Sequence, residues 1–136
     1  MTPSDASPPG DTPVVPLDDR EYHLIADRTL ACIERQADLW LQQGLVDIDP
    51  QRTGGLLELA LPDGSKVVVN KQAPLQEIWL AARRGGFHFK WHGHAWLDTR
   101  DHVEFFERLS EQLSAQAGIG LTVAADGASP DSAASL

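Results

Sequence analysis

The dipeptide Asp63-Gly64 is the sequence feature that most constrains the fold, because it joins two apolar runs. These runs, LLELAL and VVV, are rich in aliphatic residues, and the β-branched valines favour strands. An Asp-Gly pair readily adopts the positive φ angles of a two-residue hairpin turn. The segment therefore predicts two antiparallel strands, and GFHFKWHGHAWLD at 86–98 predicts a second hairpin around Gly93.

Helical periodicity precedes the first hairpin. Apolar residues recur every three or four positions over residues 22–40, which predicts a helix with one apolar face. Asp18 or Asp19 is suited to cap its start, because a short carboxylate accepts hydrogen bonds from the first backbone amides. Gly44 is expected to end the helix. The next segment, LVDID at 45–49, alternates apolar and acidic residues as a half-buried strand does.

A second helix is predicted near the end of the chain. Its apolar face recurs through residues 103–117. Thr99 or Asp101 is a suitable cap, and Gly118 is suited to end the helix.

The segment APLQEIWLAARRGG, residues 73–86, fits two structures. As a helix it has Pro74 near its first position and a glycine pair as its end. As a strand it would alternate, with Ile78 and Leu80 on one face and Leu75, Glu77 and Trp79 on the other. Local propensity favours the helix, which would bury Trp79.

Length and composition bound the class of protein. A chain of 136 residues with 42% hydrophobic and 23% charged residues fits one globular domain, which we place at 18–118. Residues 1–17 and 119–136 are rich in small and polar residues, which predicts mostly disordered ends. No apolar run of the sequence reaches membrane-spanning length, and we expect no secretion signal. With Cys32 as its single cysteine it can form no internal disulfide, and we expect a cytoplasmic protein.

The negative charge is concentrated in one part of the chain. The net charge is −9, and residues 18–49 hold eight carboxylates against three arginines. Residues 50–117 have equal numbers of acidic and basic side chains. The resulting field attracts cations or a basic protein surface and repels nucleic acid.

Several acidic side chains of the first helix fall within an arc of about 100° beside its apolar face. These residues, with one histidine among them, are Asp19, His23, Asp27, Glu34 and Asp38. Asp47 and Asp49 of the predicted strand are expected to extend this surface. Carboxylates together with an imidazole suit iron, but no enclosing ligand set is present, so the pattern predicts weak and labile metal binding. The alternative is an ordinary solvated helix face.

Other reactive residues form no convincing site in the sequence. His88 and His92 would lie roughly 13 Å apart along a strand, and His94 follows the turn, so we interpret all three as surface histidines. Cys32 falls near the buried side of the first helix and is interpreted as a small apolar residue. No nucleophile–base set, phosphate loop or zinc spacing is found in the sequence.

Six segments follow one another in order over residues 19–117: EYHLIADRTL, DID, DGSKVVVNKQ, PLQEIWLA, GGFHF and AWLDTR. Together they resemble the frataxin family and in particular its bacterial (CyaY) branch. The resemblance implies an α+β, two-layer sandwich in which two helices pack on one face of an antiparallel sheet of five or six strands. It also implies that residues 75–81 form a strand, against the local propensity. Trp79 would then point outward from the sheet.

The resemblance implies an iron-binding regulator or adaptor of iron–sulfur cluster assembly. It would bind Fe2+ or Fe3+ weakly through the seven residues named above and contact two partners, a cysteine desulfurase and an iron–sulfur scaffold protein. The implied partner residues are Glu34, Asp38, Asn70, Lys71, Gln72 and Trp79. Arg35 and Leu39 stand at positions that are commonly acidic in the family, so a reduced iron capacity is expected.

Three functional hypotheses follow from these observations. The first is the adaptor, expected to be a monomer that iron can assemble into oligomers, with no enzymatic activity and no contact with nucleic acid or membrane. The second is a ferroxidase or an iron-storage protein that uses the same carboxylates. The third is a purely structural interaction domain that does not bind metal. Residues 66–90 further predict a basic sheet face around Trp79, opposite in sign to the helix. They hold one acidic residue, Glu77, and five basic ones, Lys66, Lys71, Arg83, Arg84 and Lys90.

Overall fold

The computed structural model describes residues 12–125. These residues fold as two helices and six strands together with a short 3-10 helix, Ala73–Leu75. The elements, in chain order, are α1 (Asp19–Gln42), β1 (Asp49–Thr53), β2 (Leu56–Ala60), β3 (Lys66–Gln72), β4 (Glu77–Ala82), β5 (Gly85–Trp91), β6 (Trp96–Asp98) and α2 (Phe105–Ala117). The strands form one antiparallel sheet in sequential order. The α+β architecture, with both helices on one face of the sheet, is confirmed.

The start of α1 is fixed by a reciprocal pair of capping bonds. The Glu21 amide donates to Asp18 Oδ1 at 2.7 Å, and the Asp18 amide donates to Glu21 Oε1 at 3.2 Å. Two backbone donors that a helix start leaves unpaired are thereby satisfied. Gly44, with a φ of 69°, follows the helix end as the sequence predicts.

The disputed segment is a strand. The 3-10 turn and a left-handed Gln76, at φ 53°, lead into β4. This strand pairs with β3 on one side and β5 on the other, and its Ile78 and Leu80 are fully buried. Two ladders of hydrogen bonds and the burial of two aliphatic side chains outweigh the helical propensity of this short segment.

Apolar side chains from both helices and from the inner face of the sheet form one core. Two polar contacts inside it connect α1 to the sheet. The Tyr22 hydroxyl donates to the Glu77 carbonyl oxygen at 2.7 Å, and the Trp96 indole N–H donates to Thr29 Oγ1 at 3.2 Å. Burial raises the pKa of Tyr22 to about 12.

Two predicted boundaries are wrong. The segment 45–49 is a loop up to Ile48, which is buried, and the strand begins only at Asp49. The cap of α2 is Glu104, whose carboxylate accepts from the Phe106 and Glu107 amides at 2.8 and 3.0 Å, and not Thr99 or Asp101. The alternation near β1 and the capping residue types before α2 each fit more than one starting position. The sequence therefore does not define where either element begins.

The folded unit extends beyond the predicted limits of 18–118. Before α1, the Val15 amide donates to the Trp91 carbonyl oxygen at 2.8 Å, which ties the preceding segment to β5. After α2, Leu121 and Val123 are buried in the core. Their amides donate to Ser114 Oγ and Ser110 Oγ, each at 2.8 Å. The rest of the segments predicted to be disordered, 1–11 and 126–136, lies outside the described residues.

Neither helix within residues 12–125 combines the length and the apolar character that crossing a bilayer requires.

We predict that the residues after α2 contribute to stability. A chain ending at Gly120 should lose about 2–4 kcal/mol of unfolding free energy relative to one ending at Ala125. The reason is that each buried Val or Leu contributes about 1.5–3 kcal/mol, less the cost of ordering the chain. Urea denaturation of the two chains measures the difference. Thr122→Ala, at an exposed position between the two buried residues, is the control and should change little; equal stability of the two chains would contradict the assignment.

Candidate iron and partner surfaces

The predicted acidic stripe lies along α1 and is called here the acidic helix surface. Its residues are Asp19, His23, Asp27, Glu34 and Asp38. Asp19, His23 and Asp38 are exposed, whereas Asp27 and Glu34 are half-buried near the sheet. The surface therefore has an open portion at each end and a partly covered centre.

Two basic side chains from the sheet reach the centre of this surface. The Arg52 guanidinium of β1 contacts Asp27 Oδ1 at 3.1 Å and Glu34 Oε1 at 2.9 Å. The Lys71 ammonium of β3 contacts the same Asp27 oxygen at 2.7 Å. Two of the predicted iron ligands are thus already paired with cations of the chain itself.

Asp47 and Asp49 do not extend the acidic helix surface as predicted. Asp47 is exposed in the loop before β1. Asp49 begins β1 and alternates with Pro50, so its side chain belongs to the strand face opposite that of Arg52. Its carboxylate accepts a bond from Gln51 Nε2 at 3.1 Å on that outer face. The reason is that Asp49 lies on the sheet face that points away from α1.

The residues fit loose cation binding better than an enclosed iron centre. Within residues 12–125, no group of three or more His, Cys, Asp or Glu side chains could hold a metal ion together. Carboxylates and an imidazole are nevertheless suitable donors for ferrous and ferric iron. Exposed single carboxylates keep their hydration and bind such ions weakly.

Trp79 lies on the outer face of the sheet, as the strand structure predicts. Its ring stacks on His88 of β5 at a centroid distance of 4.2 Å and an interplanar angle of 8°. Its indole N–H donates to Glu77 Oε1 at 2.7 Å, and Lys90 Nζ lies 3.0 Å from the other oxygen of that carboxylate. Trp79 is therefore half-buried and held in one orientation, which lowers the entropy cost of using it as a contact.

A shallow apolar groove runs beside Trp79 on the same face. Leu56, Val68 and Ala81 contribute apolar side chains, and Asn70 lies directly opposite Trp79 in the register. Gln72 lies opposite Glu77 two pairs further along, on the same face. The structure thus brings Asn70, Gln72 and Trp79 onto one surface.

Lys71 does not belong to that surface. It pairs in the register with Ile78, which is buried under the helices, so Lys71 lies on the inner face at its rim and reaches Asp27. The prediction of Lys71 as a partner contact beside Trp79 is therefore wrong in its placement.

The predicted basic character of the sheet face is also wrong. Lys90 pairs with Glu77 at 3.0 Å, and Lys66 lies 3.8 Å from Glu58. Arg83 pairs with Asp63 at the β2–β3 turn at 3.0 Å. The surface around Trp79 is apolar at its centre and close to neutral, because the fold brings an acid next to Lys66, Arg83 and Lys90.

The remaining histidines and the cysteine form no joint site in the described structure. His88 stacks on Trp79, and His92 Nδ1 lies 2.6 Å from the Thr12 carbonyl oxygen. His94 Nδ1 lies 3.1 Å from the His92 carbonyl oxygen. Cys32 is buried, as predicted.

Arg52 is the functional residue that sequence reasoning missed, and Lys71 was assigned to the wrong face of the sheet. The signal for Lys71 was present, since it shares its parity with the buried residues Val67 and Val69. The signal for Arg52 was absent, because the strand that carries it was placed several residues too early.

Three comparisons place the chain among known proteins. A family model described as a frataxin-like domain matches residues 15–119. A protein of Polaromonas sp. JS666 named iron-sulfur cluster assembly protein CyaY is 47% identical over 102 residues, covering 75% of this chain and 88% of that protein. The structure of frataxin from Psychromonas ingrahamii superposes with a TM-score of 0.70 at 29% identity, covering 79% of this chain and 99% of that one.

A more distant solved structure is a trimeric frataxin from Saccharomyces cerevisiae in a ferrous complex. It superposes with a TM-score of 0.55 at 23% identity, covering 76% of this chain and 89% of that one. A likeness at this identity shows a shared fold.

We predict that Trp79 contributes less to stability than its neighbour in the same strand. Trp79→Ala should lower the unfolding free energy by about 1–1.5 kcal/mol, the value of an aromatic cross-strand pair. Ile78→Ala should cost about 2–5 kcal/mol, because it leaves a cavity in the core. Chemical denaturation measures both variants. A greater loss for Trp79→Ala than for Ile78→Ala would show that Trp79 is part of the core.

Proposed function

Because the chain belongs to the frataxin family, in its bacterial CyaY branch, we propose that it is an adaptor of iron–sulfur cluster assembly. In this role it carries Fe2+ or Fe3+ weakly on the acidic helix surface and contacts the enzyme complex that builds clusters. The observation that carries the proposal is the separation of two surfaces of different chemistry. Exposed carboxylates lie on α1, and a held aromatic lies on the outer face of the sheet.

Iron is cargo in this proposal and not a resident cofactor. The donors are the exposed carboxylates of α1, Asp19 and Asp38, together with His23. Such donors bind iron weakly and release it readily, because no ring of ligands replaces the hydration shell of the ion. A carrier that transfers iron to a partner requires such weak binding, whereas a storage protein would need an enclosed site.

The acidic helix surface also suits a cysteine desulfurase with a basic patch. Its exposed ends at Asp19 and Asp38 can be reached without opening the fold. Charge complementarity of this kind accelerates association and weakens with salt. Glu34 contributes less, because it is already paired with Arg52.

The outer sheet face suits the scaffold protein. Trp79, Asn70 and Gln72 offer an aromatic anchor flanked by two amides. A tryptophan already held in its bound orientation is the type of residue that dominates interface energies. The neutral character of this face indicates a contact governed by shape and hydrogen bonds, unlike the acidic contact on α1.

The proposal includes no catalytic role. It assigns the protein to the cytoplasm, as a monomer that iron can assemble into oligomers.

We predict weak iron binding at the ends of the acidic helix surface. Anaerobic calorimetry with Fe2+ should give a micromolar or weaker dissociation constant. Replacing Asp19 and Asp38 by Asn should weaken binding about tenfold, equivalent to about 1.4 kcal/mol. Glu107→Gln combined with Glu111→Gln, at two exposed acids of α2, makes the same change of net charge and should leave the affinity unchanged. Unchanged affinity of the Asp19 and Asp38 variant would contradict the assignment. Catalysed oxidation of Fe2+ by oxygen in the isolated protein would favour a ferroxidase instead.

We predict that one charge reversal separates desulfurase binding from folding. Asp38→Lys should weaken the complex at least about tenfold at low salt, because an attraction becomes a repulsion at an exposed site. Glu107→Lys makes the same change of charge on α2 and should bind like the parent. Pull-down or calorimetry with purified desulfurase measures the affinities at two salt concentrations. Equal binding of Asp38→Lys and the parent at low salt would exclude this surface as the docking site.

A further inference from the structure

The centre of the acidic helix surface differs from its ends in having cations of the same chain bound to it. Arg52 bridges Asp27 and Glu34, which lie on α1 two turns apart. Lys71 approaches Asp27 from the neighbouring side. Asp27 therefore contacts two positive groups at once, through the same oxygen atom.

Lys71 is not an ordinary surface lysine. Its side chain is only 12% exposed, whereas that of Asp27 is 47% exposed. A largely buried ammonium depends on its partner, because a charge left unpaired away from water is strongly destabilising. Turning Asp27 Oδ1 toward an external cation would therefore take this partner away from Lys71.

The ends of the surface have no such constraint from Arg52 or Lys71. Asp38 accepts a hydrogen bond from the neutral Gln42 amide at 3.0 Å, and His23 packs edge-on against the Tyr22 ring at 5.1 Å. Asp38 also lies near the carboxyl end of α1, where the helix dipole favours a cation. An incoming ion meets an uncompensated carboxylate at this end and a compensated one at the centre.

We propose that Arg52 and Lys71 act as built-in counter-cations that exclude divalent metal ions from Asp27 and Glu34 and direct them to the ends of the acidic helix surface. This inference rests on the proposed iron-carrying function and adds to it the residues that select where the ion binds. Exclusion operates in two ways. A divalent ion is repelled by the guanidinium and the ammonium, and it must also replace the ion pairs that they form.

The test uses Mn2+ alone as a redox-stable paramagnetic probe of divalent binding, added to the full 15N-labelled chain. Amide signals near a bound ion broaden, so the pattern locates the ion and the titration gives its apparent affinity. The variant is Arg52→Gln, which removes the bridge at a side chain on the domain surface. Arg52→Lys retains the charge and should behave like the parent. Arg84→Gln, in the exposed β4–β5 turn, makes the same change of net charge away from α1.

In the parent, broadening should begin near residues 19–23 and 38–42, and amides 27–34 should respond last. In Arg52→Gln, amides 27–34 should broaden at a Mn2+ concentration at least about tenfold lower than in the parent, a change of about 1.4 kcal/mol. Arg84→Gln should not show this gain. Thermal unfolding of each variant confirms that it is folded.

Two results would overturn the inference. One is equal broadening of amides 27–34 in the parent and Arg52→Gln at every Mn2+ concentration. The other is an equal gain in Arg84→Gln, which would attribute the effect to net charge. A parent without any localised broadening, combined with a gain in Arg52→Gln, would count against the iron-carrying proposal and still support exclusion by Arg52.

Discussion

The layer of apolar side chains between the two helices and the inner face of the sheet is the interaction on which the other features depend. Val67, Val69, Ile78 and Leu80 are fully buried there beneath helix residues such as Leu30. Because strand side chains alternate, burying these residues forces their neighbours outward. Trp79 is displayed on the outer face for this reason, and a shift of one residue would exchange the two sets.

The rim of the same layer determines the electrostatics. Arg52 and Lys71 have the parity of inner residues, but they lie at the rim of the sheet, beside the exposed side of α1. The guanidinium of Arg52 therefore contacts Asp27 and Glu34, and the ammonium of Lys71 contacts Asp27. The acidic helix surface is therefore divided into two open ends and a neutralised centre. Bases on the outer face are likewise paired with acids, as Lys90 is with Glu77. The distribution of charge in the fold differs from its distribution along the chain.

Local patterns predicted most of the fold. The hairpin at Asp63-Gly64, the periodicity of α1 and the end of α2 at Gly118 each depend on neighbours in sequence, and all are confirmed. β4 needed information from distant strands, which the family resemblance supplied. The start of β1, the cap of α2 and the pairs that neutralise Asp27 depend on register and on contacts between residues far apart in the chain. No local signal reports these, apart from the parity of Lys71.

We propose that α1 and the outer sheet face serve different partners. Chemical-shift mapping of the 15N-labelled protein tests it directly, with purified desulfurase and purified scaffold added separately. Desulfurase should perturb amides around Asp19 and Asp38, and scaffold should perturb those around Asn70, Trp79 and His88, with little overlap between the two sets. Perturbation of one and the same surface by both proteins would contradict the account.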